Sequence, residues 1–268
     1  MKKLSVLLLV AALLLAVLPA GAENADNSLQ DILDKGKLVL GLDASFPPMG
    51  FTDPDTGAIT GFDIDLAAEV CKRLGVELIT QPIEWVAKEM ELNAGNIDCI
   101  WNGMTITPER LKNMAISLPY LENSQVVVVK ADSGIASLAD MAGKKLGLQA
   151  GSSANDALDA AVEFKESLAE VVPFDENVTA LLDLNNGGID GVLVDIVVAN
   201  YYTKVNDYPF IVLEEALAPE QYGIGFRKAD LALCDKVNEL LLEMRADGSL
   251  ANISTAWFDE DITIIGQE

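Results

Sequence analysis

The sequence contains no histidine and only three cysteines in 268 residues. Histidine is the most frequent general base in enzymes and a frequent metal ligand, so this chain lacks the usual group for both roles. Cys71, Cys99 and Cys234 show none of the spacings that are typical of zinc motifs. We therefore expect no metal and no cofactor, and any acid–base chemistry would fall to carboxylates.

Positive charge is also scarce. The chain has 18 lysines and arginines against 42 acidic residues, which gives a net charge of −24 at pH 7. Such a surface repels the phosphates of nucleic acids and anionic lipid surfaces, which argues against both as partners. The excess of acid is typical of a protein that must stay soluble.

Only one long apolar run is present, at the N-terminus. A basic start precedes the nearly all-apolar stretch Leu4–Leu18, and the small residues Ala20-Gly21-Ala22 follow. A membrane-spanning helix needs roughly 20 apolar residues, whereas this shorter pattern is typical of a signal peptide. We predict that residues 1–22 are removed on export, which takes the net charge from −24 to −26 because two lysines are lost. The alternative is an uncleaved membrane anchor.

Export would allow a disulfide, because compartments outside the cytoplasm are oxidising. Three cysteines permit one bridge and leave one free thiol. Cys71 and Cys99 lie in apolar helix and strand patterns, so three buried and unpaired side chains are an equal alternative.

The mature chain alternates short β-rich runs with helical patterns. In the first series we predict strands at Lys37–Asp43, Glu77–Gln81 and Asp98–Met104, and helices at Phe62–Leu74 and Val86–Ala94. This alternation is typical of an α/β fold with a mostly parallel sheet flanked by helices.

A second α/β series follows without a flexible linker. We predict six strands in it, at Gln125–Lys130, Lys145–Gln149, Val171–Phe174, Gly191–Val194, Phe210–Leu213 and Tyr222–Arg227. We predict helices from Ser153, at Val178–Asn186 and at Asp195–Lys204. Two more helices run from Asp230 to Trp257, with a break at Asp247-Gly248. Two series indicate two lobes joined by extended segments, and one α/β domain with a long sheet is the competing interpretation.

Four segments place polar residues after strands, where open α/β sheets bind ligands. Asp43 and Phe46 lie on a proline-stiffened loop, and Arg110 lies in the first turn of a helix with Thr107 as its predicted N-cap. Gln149–Ser153 forms a turn into a helix, and Asp195 directly follows a strand. Taken singly, such residues are usually caps, surface ion pairs or plain turns. Together they supply a cation, acids, hydroxyls and backbone amides, which complement the negative and positive groups of a zwitterion.

Several motifs then make the chain resemble the polar amino-acid-binding (solute-binding) proteins of ABC transporters, family 3 type. The motifs are Phe46-Pro47-Pro48, Gly61–Ala67, Gly103–Arg110, Ser117–Tyr120, Gln221–Phe226 and Trp257-Phe258. The resemblance covers nearly all of the mature chain. It implies the two-lobed periplasmic-binding-protein type II fold, with lobe 1 built from 23–122 plus 221–268 and lobe 2 from 123–220.

The resemblance also implies which residues hold the charged groups of an amino acid. Arg110 would clamp the α-carboxylate through two parallel hydrogen bonds, a geometry that lysine cannot reproduce. Thr105 and the backbone of Gly103 would complete that contact from lobe 1, and Ser153 from lobe 2. Asp195 would accept the α-ammonium group.

The ligand side chain would lie between Phe46 and Trp85, with Asp43 at its far end. Asn102 stands where the family more often has a small or hydroxyl residue, and it could hydrogen-bond to the ligand. Gln149 stands where some glutamine-binding members carry lysine, which makes glutamine a weaker candidate and a basic ligand more acceptable. The choice among polar amino acids stays open.

The function implied is capture of a polar L-amino acid outside the cytoplasm by lobe closure, followed by delivery to the permease of an ABC importer. We expect a monomer. Two alternatives remain: an enzyme on the same fold, such as a dehydratase or lyase, and a ligand-sensing module for a signalling receptor.

Overall fold

The computed structural model describes residues 26–205 and 208–267. The predicted signal peptide, residues 1–22, lies outside the described residues. Within the described ranges, every helix is too short or too polar to cross a membrane.

Ten α-helices are found in the described part of the chain. They are α1 (Ser28–Lys35), α2 (Phe62–Leu74), α3 (Lys88–Ala94), α4 (Pro108–Asn113), α5 (Ser153–Ala160), α6 (Val162–Ser167), α7 (Asn177–Asn186), α8 (Ile196–Asn200), α9 (Leu231–Asp247) and α10 (Ser249–Phe258). Short 3-10 turns occur at Trp85–Ala87 and Leu138–Met141, and a π-helical turn at Tyr201–Val205 follows α8.

Thirteen strands form three sheets in the same described ranges. They are β1 (Lys37–Leu42), β2 (Ser45–Phe46), β3 (Gly50–Thr52), β4 (Ile59–Thr60), β5 (Glu77–Pro82), β6 (Cys99–Ile100), β7 (Met114–Ile116), β8 (Leu121–Lys130), β9 (Lys145–Gln149), β10 (Glu170–Phe174), β11 (Gly191–Asp195), β12 (Phe210–Tyr222) and β13 (Gly225–Arg227).

Two five-stranded sheets dominate the fold. The first sheet has the order β5-β1-β6-β13-β7 and the second sheet β10-β9-β11-β8-β12, while β2, β3 and β4 form a small antiparallel sheet. In the first sheet only β13 runs against its neighbours, and in the second only β8 does. The predicted α/β class, with two mostly parallel sheets flanked by helices, is confirmed.

The chain passes between the two sheets along paired strands. Strand β8 enters the second sheet just after β7, and β12 leaves it just before β13. The two are antiparallel partners from Leu121 opposite Tyr222 to Lys130 opposite Phe210. Both predicted lobe boundaries lie near this paired end. The division into lobes at 122/123 and 220/221 stays a prediction.

The apolar core follows the alternation of side chains along the strands. On β8, Val126 and Val128 face one buried cluster, while Val127 and Val129 face another. A strand that is buried on both faces has apolar residues at successive positions, as in the valine run of β8. The larger cluster also contains Leu40 of the first sheet, so it connects the two sheets.

Some element predictions were wrong. The predicted strand Asp98–Met104 contains only Cys99–Ile100, and Gly103, with φ of 56°, lies outside the extended conformation that a longer strand would need. The predicted strand Phe210–Leu213 extends through bulges to Tyr222, since its long partner β8 stabilises the polar continuation. The helix predicted to end at Lys204 changes to a π-helical turn from Tyr201.

The three cysteines are buried and unpaired. This matches the second of the two alternatives for them, in which they act as small apolar side chains. Burial raises the pKa of Cys71 to about 12, so its thiol stays protonated.

The N-terminus of α2 is fixed to the loop that carries Phe46. The Phe62 N–H donates to the Pro48 carbonyl at 2.9 Å, and the Asp63 N–H donates to the Met49 carbonyl at 2.9 Å. Gly61 precedes the helix with φ of 139°, and a side chain there would collide with the Met49 carbonyl oxygen. Only glycine fits this approach of two backbone segments.

We expect Gly61→Ala to lower the free energy of unfolding by more than about 2 kcal/mol, because backbone strain and steric overlap add. Gly57→Ala is the matched control: its φ is 71°, but nothing lies within 4 Å of the added carbon. It should cost only about 1 kcal/mol. Urea unfolding followed by circular dichroism measures both, and equal losses would contradict the role given to close packing at Gly61.

Candidate functional site

All nine predicted site residues line one narrow cavity between the two large sheets, with a volume of about 10 Å³. Gln149 and Ser152 complete its lining. The nine are Asp43, Phe46, Trp85, Asn102, Gly103, Thr105, Arg110, Ser153 and Asp195. Their contribution to ligand binding stays a prediction.

Arg110 is a buried cation with little to neutralise it. Its side chain is 6% exposed, and Nη1 donates to the Thr105 carbonyl at 2.8 Å. None of the ion pairs among the described residues includes Arg110. Burial lowers the pKa of its guanidinium, partly offset by Asp156 and Glu220. Such a guanidinium, with five N–H donors, is prepared to bind an anion.

The helix that carries Arg110 is built as the sequence predicts. Thr107 is the N-cap of α4, and its Oγ1 accepts from the Arg110 N–H at 3.2 Å, while Pro108 occupies the first helical position. The cap fixes the backbone of Arg110 directly beside the cavity.

Asp195 lies across the cavity as a buried acid. Its Oδ1 accepts from Asn123 Nδ2 at 2.6 Å and from the Tyr222 hydroxyl at 2.7 Å. Burial, followed by the charge of Glu220, raises the pKa of Asp195 to about 7, and the hydrogen bonds act in the opposite direction. Asp195 therefore titrates near neutral pH and can accept from a cation when it is ionised.

Hydroxyl and amide groups link the two sides of the cavity. The Thr105 and Ser153 hydroxyls lie 3.0 Å apart, and Thr105 follows the first sheet while Ser153 begins α5 beside the second. Glu220 Oε2 accepts from Thr105 Oγ1 at 3.0 Å, from Asn123 Nδ2 at 2.8 Å and from Gln125 Nε2 at 3.0 Å. This network lies directly beside the paired ends of β8 and β12.

Gly103 is held by a buried carboxylate. Asp63 Oδ2 accepts from the Gly103 N–H at 2.7 Å and from the Tyr120 hydroxyl at 3.1 Å. The sequence predicts Asp63 as a residue of the first turn of a helix, and the structure confirms that position in α2. Burial raises its pKa to about 7. Its side chain also orders the backbone of the candidate site.

Asp43 forms one end of the cavity. Its Oδ1 accepts from the Ser45 N–H and hydroxyl at 2.9 and 2.6 Å, and its Oδ2 accepts from Gln149 Nε2 at 2.7 Å. Asn102 Oδ1 accepts from the Asp43 N–H at 3.0 Å, so this amide oxygen supports the protein backbone.

Two aromatic rings form part of the cavity wall, and a second cation lies against one of them. Phe46 and Trp85 are both buried and line the cavity. Lys88 Nζ lies 4.9 Å from the centre of the Trp85 ring and donates to the Gly151 carbonyl at 2.9 Å, across the gap between the two sheets. Burial, followed by the charge of Arg110, lowers the pKa of Lys88 to about 8.

Sequence reasoning did not identify Lys88, Asn123, Gln125 and Glu220. Asn123 and Gln125 alternate on β8 just before its run of valines, so the same face of the strand carries both amides. This i, i+2 spacing could have identified both amides as candidates for the site from the sequence. Lys88 and Glu220 have no local signal, because only tertiary packing buries Lys88 and brings the half-buried Glu220 to this network. The described residues contain no cluster of three or more acidic or cysteine side chains that could hold a metal.

Curated relatives cover nearly the whole chain. The L-cystine-binding protein TcyJ of Escherichia coli K12 is 32% identical over 240 residues, which span 89% of this chain and 88% of that protein. The arginine-binding extracellular protein ArtP of Bacillus subtilis is 33% identical over 264 residues, covering 96% of this chain and 98% of ArtP.

A solved structure has the same architecture. An ABC uptake transporter substrate-binding protein from Streptococcus pneumoniae, crystallised with bound histidine, superposes with a TM-score of 0.86. It is 40% identical and covers 89% of this chain and 98% of its own. The family model of the bacterial extracellular solute-binding proteins, family 3, matches residues 38–260. The chain therefore belongs to the bacterial extracellular solute-binding proteins, family 3.

Proposed function

We propose that this protein captures a polar L-amino acid outside the cytoplasm and delivers it to an ABC importer. The observation that carries the proposal is the pair of Arg110 and Asp195, a buried cation without a carboxylate partner and a buried acid, both lining one cavity. The α-carboxylate and α-ammonium groups of an amino acid would compensate both charges.

The binding roles follow from the chemistry of each group. Arg110 would donate two hydrogen bonds to the α-carboxylate, with Thr105, Ser153 and the Gly103 backbone beside it. Asp195, already oriented by Asn123 and Tyr222, would accept from the ammonium.

The ligand side chain would extend between Phe46 and Trp85 toward Asp43. A polar end fits best there, because the carboxylate of Asp43 is buried and an apolar group would leave it without a further donor. The cystine-binding and arginine-binding relatives, and the solved structure with bound histidine, agree with a polar side chain.

Ligand capture would work by closure of two lobes, with boundaries at 122/123 and 220/221. The Thr105–Ser153, Asp43–Gln149 and Lys88–Gly151 contacts join groups from opposite sides of the cavity. A ligand that bridges the same gap favours the closed state by its differential affinity. The closed monomer would then dock on the permease.

Binding without catalysis is the simplest use of this cavity. Asp195 and Asp43 both already accept hydrogen bonds from protein side chains. A bound amino acid should therefore be released chemically unchanged, which mass spectrometry of the recovered ligand would test.

Arg110→Ala should raise the dissociation constant for the preferred amino acid at least about 100-fold, because it removes a charge-assisted, buried pair of hydrogen bonds. For the unmodified mature protein, refolded free of ligand, we expect a micromolar constant, about −8 kcal/mol. A thermal-shift screen of the twenty amino acids identifies the ligand, and calorimetry gives the constants.

The matched control for that variant is Arg245→Ala. Arg245 Nη1 also donates to a backbone carbonyl, that of Ile265, at 2.8 Å, but Arg245 does not line the cavity. Binding should be unchanged in this variant. Undiminished binding by Arg110→Ala would contradict the proposal, as would millimolar binding of every amino acid by the unmodified protein.

The affinity should fall at acid pH. Asp195 has a pKa of about 7 in the free protein, and only its ionised form accepts from an ammonium. The dissociation constant should therefore rise about tenfold from pH 8 to pH 6. The comparison uses the amino acid that the thermal-shift screen identifies, provided that its side chain does not titrate in that range. A constant that is equal at both pH values would contradict the role of Asp195.

Glu220→Gln tests the physical cause of that pH dependence. The negative charge of Glu220 contributes to the raised pKa of Asp195, so its removal should move the midpoint to lower pH.

We further propose that the chain is exported through its N-terminal segment. Expressed in full in a bacterial host, the protein should appear outside the cytoplasm and begin at Glu23, which N-terminal sequencing would show. A full-length product that stays with the membrane fraction would favour the anchor alternative.

A further inference from the structure

A second buried cation lies just outside the inner cavity. The Lys88 side chain is 6% exposed, and its Nζ donates to the Gly151 carbonyl at 2.9 Å and to the Trp85 carbonyl at 3.2 Å. Lys88 stands outside the lining of the inner cavity, but it lines a neighbouring pocket of about 210 Å³. Arg110 and Ser152 line both spaces, so the two are adjacent.

The burial of Lys88 depends on a contact across the gap between the two sheets. Lys88 begins α3, which packs against β1, β6 and β13 of the first sheet, whereas Gly151 follows β9 of the second. On its own side of the gap, the ammonium group contacts only the carbonyl and the ring face of Trp85. Opening the gap would break the bond to Gly151 and return the ammonium group to water.

Lys88 and Arg110 are neighbouring cations without close acids. Arg110 carries a charge that helps to lower the pKa of Lys88, which shows that the two repel each other. None of the ion pairs among the described residues includes either side chain. Glu89 and Asp156 act on Lys88 in the opposite direction, but Glu89 is only half-buried and Asp156 is exposed, so water screens both charges.

Closure of the gap therefore has opposite consequences for an empty and for a filled cavity. Both cations belong to the first side, and covering them with the second side removes the water that screens their repulsion. A carboxylate on Arg110 would supply the missing negative charge close to Lys88 as well. The bond from Lys88 to Gly151 can then form without leaving two uncompensated cations.

We propose that Lys88 couples closure of the two lobes to the carboxylate of the ligand. Its ammonium group holds the Gly151 carbonyl when a carboxylate lies on Arg110, and it opposes closure over a ligand that lacks this charge. Lys88 is thus a positioning residue that acts without lining the inner cavity. This inference rests on the proposed function and deepens it for the same site.

The test compares an amino acid with its own α-carboxamide, which has nearly the same shape but lacks the negative charge. The probes are the amino acid that the thermal-shift screen identifies and its amide, for example L-arginine and L-argininamide. Competition against the radiolabelled amino acid gives both dissociation constants on the mature protein at pH 7. Lys88, with a pKa of about 8, is mostly protonated there. Ionisation of the amide cancels when variants are compared at one pH.

Lys88→Met removes the ammonium group and keeps most of the length of the side chain. We expect the ratio of dissociation constants, amide over amino acid, to fall about tenfold, the order expected for one charge several Å away in a partly dry site. Lys88→Gln separates charge from hydrogen bonding, because its amide can still donate to Gly151 but is neutral. The ratio should fall by a similar factor in Lys88→Gln.

Lys112→Met is the matched control. It removes the same charge from α4, two residues from Arg110, but from an exposed position. Its ratio should equal that of the unmodified protein. An equal fall in Lys112→Met would overturn the inference, because net charge would then explain the effect. A fall in Lys88→Met without one in Lys88→Gln would also overturn it, since the charge of Lys88 would then be irrelevant.

Failure of the proposed function is separable from failure of the inference. If the unmodified protein binds an amino acid and the ratio stays within threefold in both Lys88 variants, only the role of Lys88 is overturned and amino-acid binding stands. If the unmodified protein binds no amino acid, both fail.

Discussion

The antiparallel pairing of β8 with β12 carries the connection between the two large sheets. In the described part of the chain, the backbone leaves the second sheet along the same antiparallel pair by which it entered. The polar ends of these strands carry Asn123, Gln125, Glu220 and Tyr222, and these side chains reach Thr105, Ser153 and Asp195. The connection between the sheets is thus also the inner wall of the candidate site.

Several buried charges beside this connection are only partly compensated. Arg110 and Lys88 contact backbone carbonyls, and the pKa of Asp63 and that of Asp195 are both raised to about 7 by burial. Burying a charge without a partner of opposite sign is unfavourable in a folded protein. Such an arrangement is expected where a ligand supplies the missing charges, because binding then removes a penalty that the free protein carries.

Helices and strands were predictable where several local sequence patterns indicate the same element. Helix α2, strand β9 and the start of α5 have the predicted bounds, and the break at Gly248 separates α9 from α10. Amphipathic spacing, valine-rich runs and glycines past helix ends act over a few residues, so a sequence records them directly. The segment after Cys99–Ile100 was mispredicted because its conformation depends on Gly103 bonding to Asp63, forty residues earlier in the chain.

The α/β class and five of the nine cavity-lining residues were predictable from sequence patterns, because strand ends in such sheets meet at common edges. The other four, Trp85, Asn102, Gly103 and Thr105, were assigned through the family resemblance. How the cavity residues are engaged follows from tertiary packing: Gln149 donates to Asp43, Glu220 accepts from three side chains, and Lys88 donates to the Gly151 carbonyl. These contacts join residues far apart in the chain. Their hydrogen-bond geometry and burial arise from packing, which no local sequence pattern encodes.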